Sequence, residues 1–237
     1  MKRKIWCPDL TSIVDGLLLS DASLSQYQNS NFRLRIGQIV KHRDWIESLK
    51  ATFESYGVKV GIYNYTNYGF GKSLKHIALY TSRNQVMTKL RRRWYKNGKK
   101  IVPNNLKINT LTLAHWFMGD GYTSWKDTAK SKTQIVLCTE GFGLEDNLKL
   151  KALLENQNYH FWLGTRKRKE HTQLNLGLTK SYEVFDFLNR VEPFITPSFQ
   201  YKIKKPIPRS LSDFFKEFVK TRKRDSHGRF LPKEGNN

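Results

Sequence analysis

The chain has 237 residues, of which 38% are hydrophobic and 26% are charged, a composition typical of a folded globular protein rather than a disordered one. Its 42 Lys and Arg outnumber the 20 Asp and Glu, and the resulting formal net charge of +22 indicates a polyanionic partner such as nucleic acid. Two distant cysteines, Cys7 and Cys138, argue against a disulfide scaffold or a cysteine zinc site, and no apolar run suits a signal peptide or a membrane span. We therefore expect an intracellular protein without a membrane partner.

An apolar helix opens the first half of the chain and finishes on an acid. Residues 12–24 read SIVDGLLLSDASL. Asp21 falls at the predicted helix end, where the helix macrodipole disfavours a negative charge by up to about 1 kcal/mol unless a cation offsets it. Either a turn residue or a carboxylate that binds a cation fits this position. The elements predicted to follow are a strand over 31–39, a helix over 42–57, a hairpin over 58–82 and a basic helix over 82–98 that ends at Gly98.

The same order of elements recurs in the second half. Residues 111–122 read LTLAHWFMGDGY and place Asp120 after an apolar run, roughly one small domain beyond Asp21. The elements predicted next are a strand over 131–139, a helix over 142–158, a hairpin over 159–179 with an almost wholly basic turn, and a helix over 181–194 closed by Pro193. We interpret the chain as a duplicated module, with repeats over 1–102 and 103–209 and a basic helix and tail over 210–237.

The nonapeptides VDGLLLSDA (14–22) and LAHWFMGDG (113–121) resemble the motif of LAGLIDADG homing endonucleases, in the single-chain form that carries the motif twice. The first copy differs in having Asp15 where the family has a small residue, and the second in having His115 in place of Gly. The resemblance implies an α/β (α+β) fold of two pseudo-symmetric αββαββα repeats, each with a DNA-binding antiparallel sheet, joined by a central two-helix interface.

The same resemblance implies a function. It is that of a monomeric, Mg²⁺-dependent DNA endonuclease that makes a double-strand break in a long asymmetric target, in an organelle (mitochondrion or chloroplast) or the bacterial cytoplasm. The alternative is an intron maturase that binds intron RNA with the same basic surface. A DNA-binding regulator that retains the fold is a weaker alternative.

In that family the acid at each motif-helix end binds a divalent metal, so the resemblance assigns Asp21 and Asp120 as catalytic and metal-binding residues. Gly16 and Ser20 lie four residues apart, which leaves one helix face small enough for close packing and would bring the two carboxylates together. Like charges at two negative helix ends favour bound cations, and Mg²⁺ prefers oxygen ligands. We expect two or more Mg²⁺ or Mn²⁺ ions there.

Basic and amide side chains complete the predicted site. By resemblance, Lys100 matches a lysine near the active centre and Lys202 matches its counterpart, with Lys205 as a rival for the second assignment. Such lysines would stabilise the pentavalent phosphate or lower the pKa of an attacking water. Gln38 and Glu140, near the ends of the first long strand of each half, are candidates to orient waters.

The open faces of the two sheets are predicted to read DNA. A strand of about 10 residues spans roughly 33 Å, so two sheets would cover about 20 base pairs of duplex along the major grooves. The predicted contacts are Arg33, Arg35, Lys59, Tyr63, Tyr65, Lys72, Lys75 and His76 in the first half, and Lys132, Gln134, Arg166, Lys167, Arg168, His171, Gln173 and Asn175 in the second. Because the two sets differ, the target is expected to be asymmetric.

Overall fold

The computed structural model describes residues 7–69, 72–124, 133–168 and 171–203. Its first half runs from Cys7 to Lys100. It contains three α-helices, one four-stranded sheet and a short two-stranded hairpin at the end. The elements are α1 (Pro8–Leu19), β1 (Ser23–Ser25), β2 (Arg33–Ile39), α2 (Arg43–Ser55), β3 (Val60–Gly69), β4 (Lys72–Thr81), α3 (Gln85–Trp94), β5 (Tyr95–Lys96) and β6 (Lys99–Lys100). A 3-10 turn over Val40–His42 precedes α2.

The second half, from Thr110 to Ile203, repeats this plan. Its elements are α4 (Thr110–Asp120), β7 (Gly121–Ser124), β8 (Gln134–Cys138), α5 (Leu144–Glu155), β9 (Trp162–Arg168), β10 (His171–Leu178), α6 (Ser181–Val191) and two 3-10 helices, Glu192–Phe194 and Pro197–Ile203. The strand orders are β1-β2-β4-β3 and β7-β8-β10-β9, all antiparallel. The predicted fold of two αββαββα repeats is therefore confirmed.

Each sheet buries one face under helices and leaves the other open. In β2 and β4 the cross-strand pair Ile36 and Leu79 is fully buried, whereas the adjacent pair Arg35 and Tyr80 lies on the opposite face. This alternation is the period-two pattern expected of a half-buried antiparallel sheet. The open faces thus remain available to a ligand.

The motif helices α1 and α4 pack against each other at the centre of the molecule. A Cβ on Gly16 would lie 2.5 Å from the carbonyl oxygen of Thr112, and a Cβ on Gly119 would lie 2.3 Å from Ser20 Oγ. Side chains at either glycine would therefore force the backbones apart. The small helix face predicted from Gly16 and Ser20 is confirmed as the contact surface.

The structure corrects two element predictions. The basic helix α3 ends at Trp94 and not at Gly98, because the backbone after Trp94 pairs as the β5–β6 hairpin. Gly98, with φ of +77°, occupies the turn of that hairpin, a conformation that glycine adopts without strain. Helix α1 ends at Leu19, so Asp21 lies just beyond the helix, whereas Asp120 is the last residue of α4. Within the described ranges, no helix is long and apolar enough to cross a membrane.

Candidate active site between the motif helices

The close packing of α1 and α4 brings Asp21 and Asp120 to the same end of the interface. The Cβ position of Gly119, the neighbour of Asp120, lies 3.8 Å from the backbone nitrogen of Asp21. Burial raises the pKa of Asp120 to about 7, and the negative charge of Asp21 is the next contribution. The two predicted carboxylates therefore form an interacting pair.

Asp21 is braced by a side chain from the first sheet. Gln38 Nε2, on β2, donates a hydrogen bond of 2.5 Å to Asp21 Oδ2. Asp21 itself is exposed, yet the protein packed around its carboxyl group desolvates it and raises its pKa, while the hydrogen bond from Gln38 and the charges of Lys202 and Lys100 oppose that rise. Gln38 thus lies where it orients the carboxylate of Asp21.

Each half contributes one lysine that binds the end of its own motif helix. Lys100 Nζ, on β6, donates to the carbonyl oxygens of Ser20 at 3.1 Å and Ala22 at 2.8 Å. An ammonium group at a helix C-terminus offsets the negative end of the helix dipole. Burial lowers the pKa of Lys100, and the charges of Asp120 and Asp21 oppose that effect.

Lys202 makes the equivalent contact in the second half from the 3-10 helix Pro197–Ile203. Its Nζ donates to the carbonyl oxygens of Met118 at 2.6 Å, Phe117 at 3.2 Å and Gly119 at 3.4 Å. Burial lowers the pKa of Lys202 to about 8, against the opposing charge of Asp120. The rival candidate, Lys205, lies outside the described residues.

A cleft of about 320 Å³ opens beside the pair and is lined by Lys100, Asp120, Cys138 and Glu140, among others. The charge of Glu140 adds to the rise in the pKa of Asp120. Burial, and then the charge of Asp120, raise the pKa of the Cys138 thiol to about 11, so this side chain is uncharged. Cys138 was not predicted for the site, because it is the pairing of β8 with β7 that brings it beside Asp120.

The unexpected acid of the first motif, Asp15, does not face the partner helix. It is 2% exposed and forms a bidentate ion pair with Arg93, at 2.7 Å and 3.0 Å, and it also accepts a hydrogen bond of 3.0 Å from Trp94 Nε1. Burial raises the pKa of Asp15, while the bonds from Arg93 and Trp94 oppose the rise. This contact ties α1 to α3 and explains how the motif tolerates the substitution.

In the second motif, His115 lies on α4 against the first half. Trp45 Nε1 donates to His115 Nδ1 at 3.4 Å, and the two rings stack with centroids 6.3 Å apart. Burial lowers the pKa of His115 to about 4, so its ring is neutral at physiological pH. The bulky residue therefore contributes to the packing between the halves.

The open face of the first sheet carries a network of arginine and tyrosine. Arg35 Nε donates to Tyr63 Oη at 2.8 Å, a bond that raises the pKa of Arg35. Tyr65 stacks on His76 with centroids 5.1 Å apart, and the Arg33 guanidinium lies 5.2 Å from the Tyr80 ring centroid. The pairing register places Arg33, Arg35, Tyr63, Tyr65 and His76 on this open face, as predicted.

Lys75 was wrongly predicted to lie on the open face of the first sheet. It pairs with Thr66, in the row opposite to His76, so it cannot share the open face with that residue. Lys59 precedes β3, and Lys72 begins β4.

The open face of the second sheet differs in chemistry. Gln173 and Asn175 lie on it, and Gln173 Oε1 and Asn175 Oδ1 are buried without a hydrogen-bond partner among the described residues. Trp162, which was not predicted, covers Gly164 and Gly177 on the same face, and it is 41% exposed. The signal for this contact in the sequence was an aromatic residue with a glycine two positions later and another glycine in the predicted partner strand.

The remaining predicted contacts of this sheet are placed only by pairing register. Gln134 begins β8 opposite Ser124. Arg166 pairs with Gln173 and Arg168 with His171, whereas Lys167 pairs with Thr172 in the alternate row, so the prediction that all three basic residues share one face was wrong. Lys132 lies outside the described residues.

The donor set at the helix ends fits a hard cation. Asp21 and Asp120 offer carboxylate oxygens, the ligands that Mg²⁺ prefers, and the mutual repulsion of these groups is relieved by positive charge. Across the described ranges, no group of three or more His, Cys, Asp or Glu side chains is arranged to hold a metal. A cation held by the two carboxylates would need further oxygen ligands, of which water and phosphate oxygens are the ones Mg²⁺ commonly takes.

Comparison with known proteins gives consistent results. A family model described as the LAGLIDADG DNA endonuclease family matches residues 11–185. An uncharacterized protein of Methanocaldococcus jannaschii is 36% identical over 198 residues, 83% of this chain and 74% of that protein. A probable intron-encoded endonuclease of Wickerhamomyces canadensis is 29% identical over 195 residues, 79% of this chain and 80% of that protein. A cytochrome b mRNA maturase of Debaryomyces hansenii is 29% identical over 136 residues, 56% of this chain and 48% of that protein.

A solved structure agrees with the fold. The homing endonuclease I-WcaI bound to its DNA recognition sequence superposes with a TM-score of 0.67 at 25% identity, covering 83% of this chain and 86% of that chain. The family match spans most of the chain and includes both nonapeptides, whose acids lie at the same end of the helix interface. The chain therefore belongs to the LAGLIDADG DNA endonuclease family.

Proposed function

We propose that the chain is a monomeric, site-specific homing endonuclease that hydrolyses one phosphodiester bond in each strand of a long, asymmetric DNA duplex. The observation that carries this proposal is the pair of interacting carboxylates, Asp21 and Asp120, with Lys100 and Lys202 at the ends of the same two helices. Paired acids with flanking cations are suited to phosphoryl chemistry, in which charge develops on the phosphate and on the leaving oxygen.

Divalent cations, Mg²⁺ or Mn²⁺, would be held by Asp21 and Asp120. When bound, such ions supply Lewis-acid stabilisation of phosphate charge and lower the pKa of a coordinated water. Burial, and after it the negative charge of Asp21, raises the pKa of Asp120, so added positive charge at the pair would stabilise its ionised form and favour cation binding.

The protein side chains have separate tasks in this proposal. The two lysines present positive charge next to the carboxylates, where it would stabilise the negatively charged transition state. Burial lowers the pKa of Lys202 to about 8, but its ammonium group donates to three carbonyl oxygens, so we assign it the supply of positive charge and not proton transfer. Gln38 holds the carboxylate of Asp21, and Glu140 faces the cleft beside Asp120, where it would orient water.

Recognition of the target would use the two open sheet faces. The first offers arginine and tyrosine donors, and the second carries the amide side chains of Gln173 and Asn175, a class of group that contacts base edges. Because the two faces differ, each would read its own half-site within about 20 base pairs. The two motifs supply both acids from one chain, so no second copy is needed to complete the pair.

An intron maturase is the second candidate function. The observation that favours it is the similarity to the cytochrome b mRNA maturase, together with a net charge of +22 that suits RNA as well as DNA. The carboxylate pair has no evident use in RNA binding alone, which makes cleavage the better-supported function.

The two functions are separated by one set of incubations. The purified protein is mixed with a randomised duplex library in Mg²⁺, Ca²⁺ or EDTA, and cut ends are sequenced. We expect recurrent cutting at one family of sites in Mg²⁺ only. Absence of cut sites from all libraries, with tight binding to intron RNA and faster splicing, would replace the endonuclease with the maturase.

A further inference from the structure

The 3-10 helix Pro197–Ile203, which carries Lys202, is attached to the opposite half of the molecule. Asp44 Oδ2, in the first turn of α2, accepts a hydrogen bond of 2.9 Å from the backbone nitrogen of Ser198. His42 Nδ1 and Ser198 Oγ are hydrogen-bonded at 3.0 Å. We call His42, Asp44, Ser198 and Phe199 the inter-half latch.

Ring packing reinforces the latch. The His42 ring lies parallel to the Phe199 ring, with centroids 3.9 Å apart and an angle of 9°, and the Trp45 ring meets Phe199 edge-on at 5.3 Å. His42 is 5% exposed and Phe199 is 2% exposed, so this stack is buried. Phe199 in turn lies against Lys202, whose Nζ is 4.8 Å from the ring centroid.

The charges near the latch agree with this proximity. Burial, followed by the positive charge of Lys202, lowers the pKa of His42, so the ring is neutral at physiological pH. Burial alone would raise the pKa of Asp44, but the hydrogen bonds from Ser198 and Trp45 outweigh it and keep the carboxyl group ionised. The latch thus joins a neutral ring and a carboxylate of the first half to the segment that presents the lysine of the second half.

Lys100 is held differently. Its hairpin continues directly from α3, with the backbone nitrogen of Ile101 donating to Trp94 O at 2.8 Å, and Tyr95 of the same hairpin lies under Arg91 at 3.5 Å. In the place that mirrors the latch, a cleft of about 490 Å³ separates residues 101–105 from Glu145, Asp146 and Lys149 of α5. The first lysine is therefore positioned within its own half. The segment that carries the second is held by its own half, through the bond that Thr123 Oγ1 donates to the carbonyl oxygen of Lys202, and also by the latch from the other half.

We propose that His42 and Asp44 are positioning residues for Lys202, so that the first half of the protein controls the strand cut that depends on the lysine of the second half. The inference rests on the proposed function. Lys202 donates to three carbonyl oxygens at the end of α4, and the latch attaches the backbone of Ser198 and the ring of Phe199, in the same short segment, to the start of α2. Loss of the latch would displace the amine while leaving both carboxylates and both DNA-reading sheets in place.

The test compares strand-resolved cleavage by His42→Ala, Asp44→Ala and the control Glu145→Ala, which lies at the mirrored position in α5 and is exposed there. A duplex labelled differently on each strand is cut under single-turnover conditions, and Lys202→Met identifies the strand that depends on Lys202. We expect His42→Ala and Asp44→Ala to slow that strand by about 10²-fold, with nicked product accumulating and the DNA dissociation constant within about twofold of wild type. His42→Phe, which keeps the ring stack, should recover much of the rate.

A second readout does not depend on cleavage. Lys202 is 7% exposed, so acylation of its amine, followed by mass spectrometry without metal or DNA, should accelerate in His42→Ala relative to Lys100 in the same molecule. Equal slowing of both strands, or unchanged strand rates together with unchanged Lys202 acylation, would overturn the latch. If the wild-type protein cut no target, the proposed function would fail, and the acylation ratio alone would decide whether the latch positions Lys202.

Discussion

The two centres of the candidate site share a backbone plan but differ in their electrostatic surroundings. In the first, Gln38 donates a hydrogen bond to Asp21 and thereby favours its charged form. In the second, Glu140 adds negative charge near Asp120, whose pKa rises to about 7. Duplication has kept the helix packing and strand order, while the polar residues around each acid have diverged. We infer that the two strand cuts differ in their dependence on pH and on individual side chains.

The largest expected effect on cutting comes from removing the charge of each acid in turn. Asp21→Asn and Asp120→Asn keep the shape of the side chain but remove its charge, and each should lower the rate of double-strand cutting by about 10³-fold or more, because cation binding is lost. DNA binding should persist, since the sheets are unaffected. Conversion of supercoiled plasmid to linear product measures the effect.

Asp9→Asn is the matched control, because Asp9 is an exposed acid in the first turn of α1. If either test variant formed linear product at the wild-type rate, the catalytic assignment of that acid would be wrong.

Replacing the two lysines should have a smaller effect than replacing the acids, and the effect should differ between the two DNA strands. Lys100→Met and Lys202→Met remove a positive charge beside the acids, and each should slow one strand more than the other, by about 10²-fold. Lys202→Met should also lower the melting temperature more, because Lys202 is buried against three carbonyl oxygens and would leave them unpaired. Quenched-flow rates for each labelled strand and thermal melts measure the two effects. Identical strand profiles for the two variants would contradict the assignment of one lysine to each centre.

Replacing the polar neighbours of the acids should have a smaller effect. The two replacements should shift the pH dependence of cutting in opposite directions. In Gln38→Ala the loss of the donated bond should raise the pKa of Asp21, so the pH at which cutting sets in should move upward. In Glu140→Gln the loss of negative charge should lower the pKa of Asp120 and move that pH downward. At pH 6 the two variants should therefore deviate in opposite directions, by about threefold each. Shifts in the same direction would mean that the centres are not distinct.

Much of the fold was predictable because its elements have strong periodicity. The alternation of Leu34 and Ile36 with Arg33 and Arg35 predicted β2 and its open face, and the pairing confirms it. The short strands β1 and β7 carried no such signal, since three or four residues are too few to show a period. Gly98 predicted a helix end, but hairpin pairing had already ended the helix at Trp94.

The site was predictable where residues were local to a motif, and Lys100 and Lys202 were predicted through the family resemblance. The paired acids followed from two matching nonapeptides, whereas the latch residue His42 and the cleft residue Cys138 depend on contacts between distant parts of the chain. The errors at Lys75 and Lys167 had a different origin. Each is next to a residue already assigned to the open face, and strand alternation by itself excludes two neighbours from one face.

The electrostatic difference between the two acids should also be measurable in the protein without DNA or metal. A carboxyl group with a folded-state pKa of about 7 and an ordinary value of 3.8 binds a proton in the folded chain, but not in the unfolded one, throughout that pH window. The favourable contribution of Asp120 to stability is therefore complete below the lower value and is lost as pH rises through about 7. In EDTA, Asp120→Asn should raise the melting temperature relative to wild type by several degrees at pH 8 and much less at pH 5. Asp21→Asn should show a smaller change, because Asp21 is exposed and Gln38 stabilises its charge. Scanning calorimetry at both pH values measures these melting temperatures. A larger change for Asp21→Asn than for Asp120→Asn would mean that Asp21, and not Asp120, has the more strongly raised pKa.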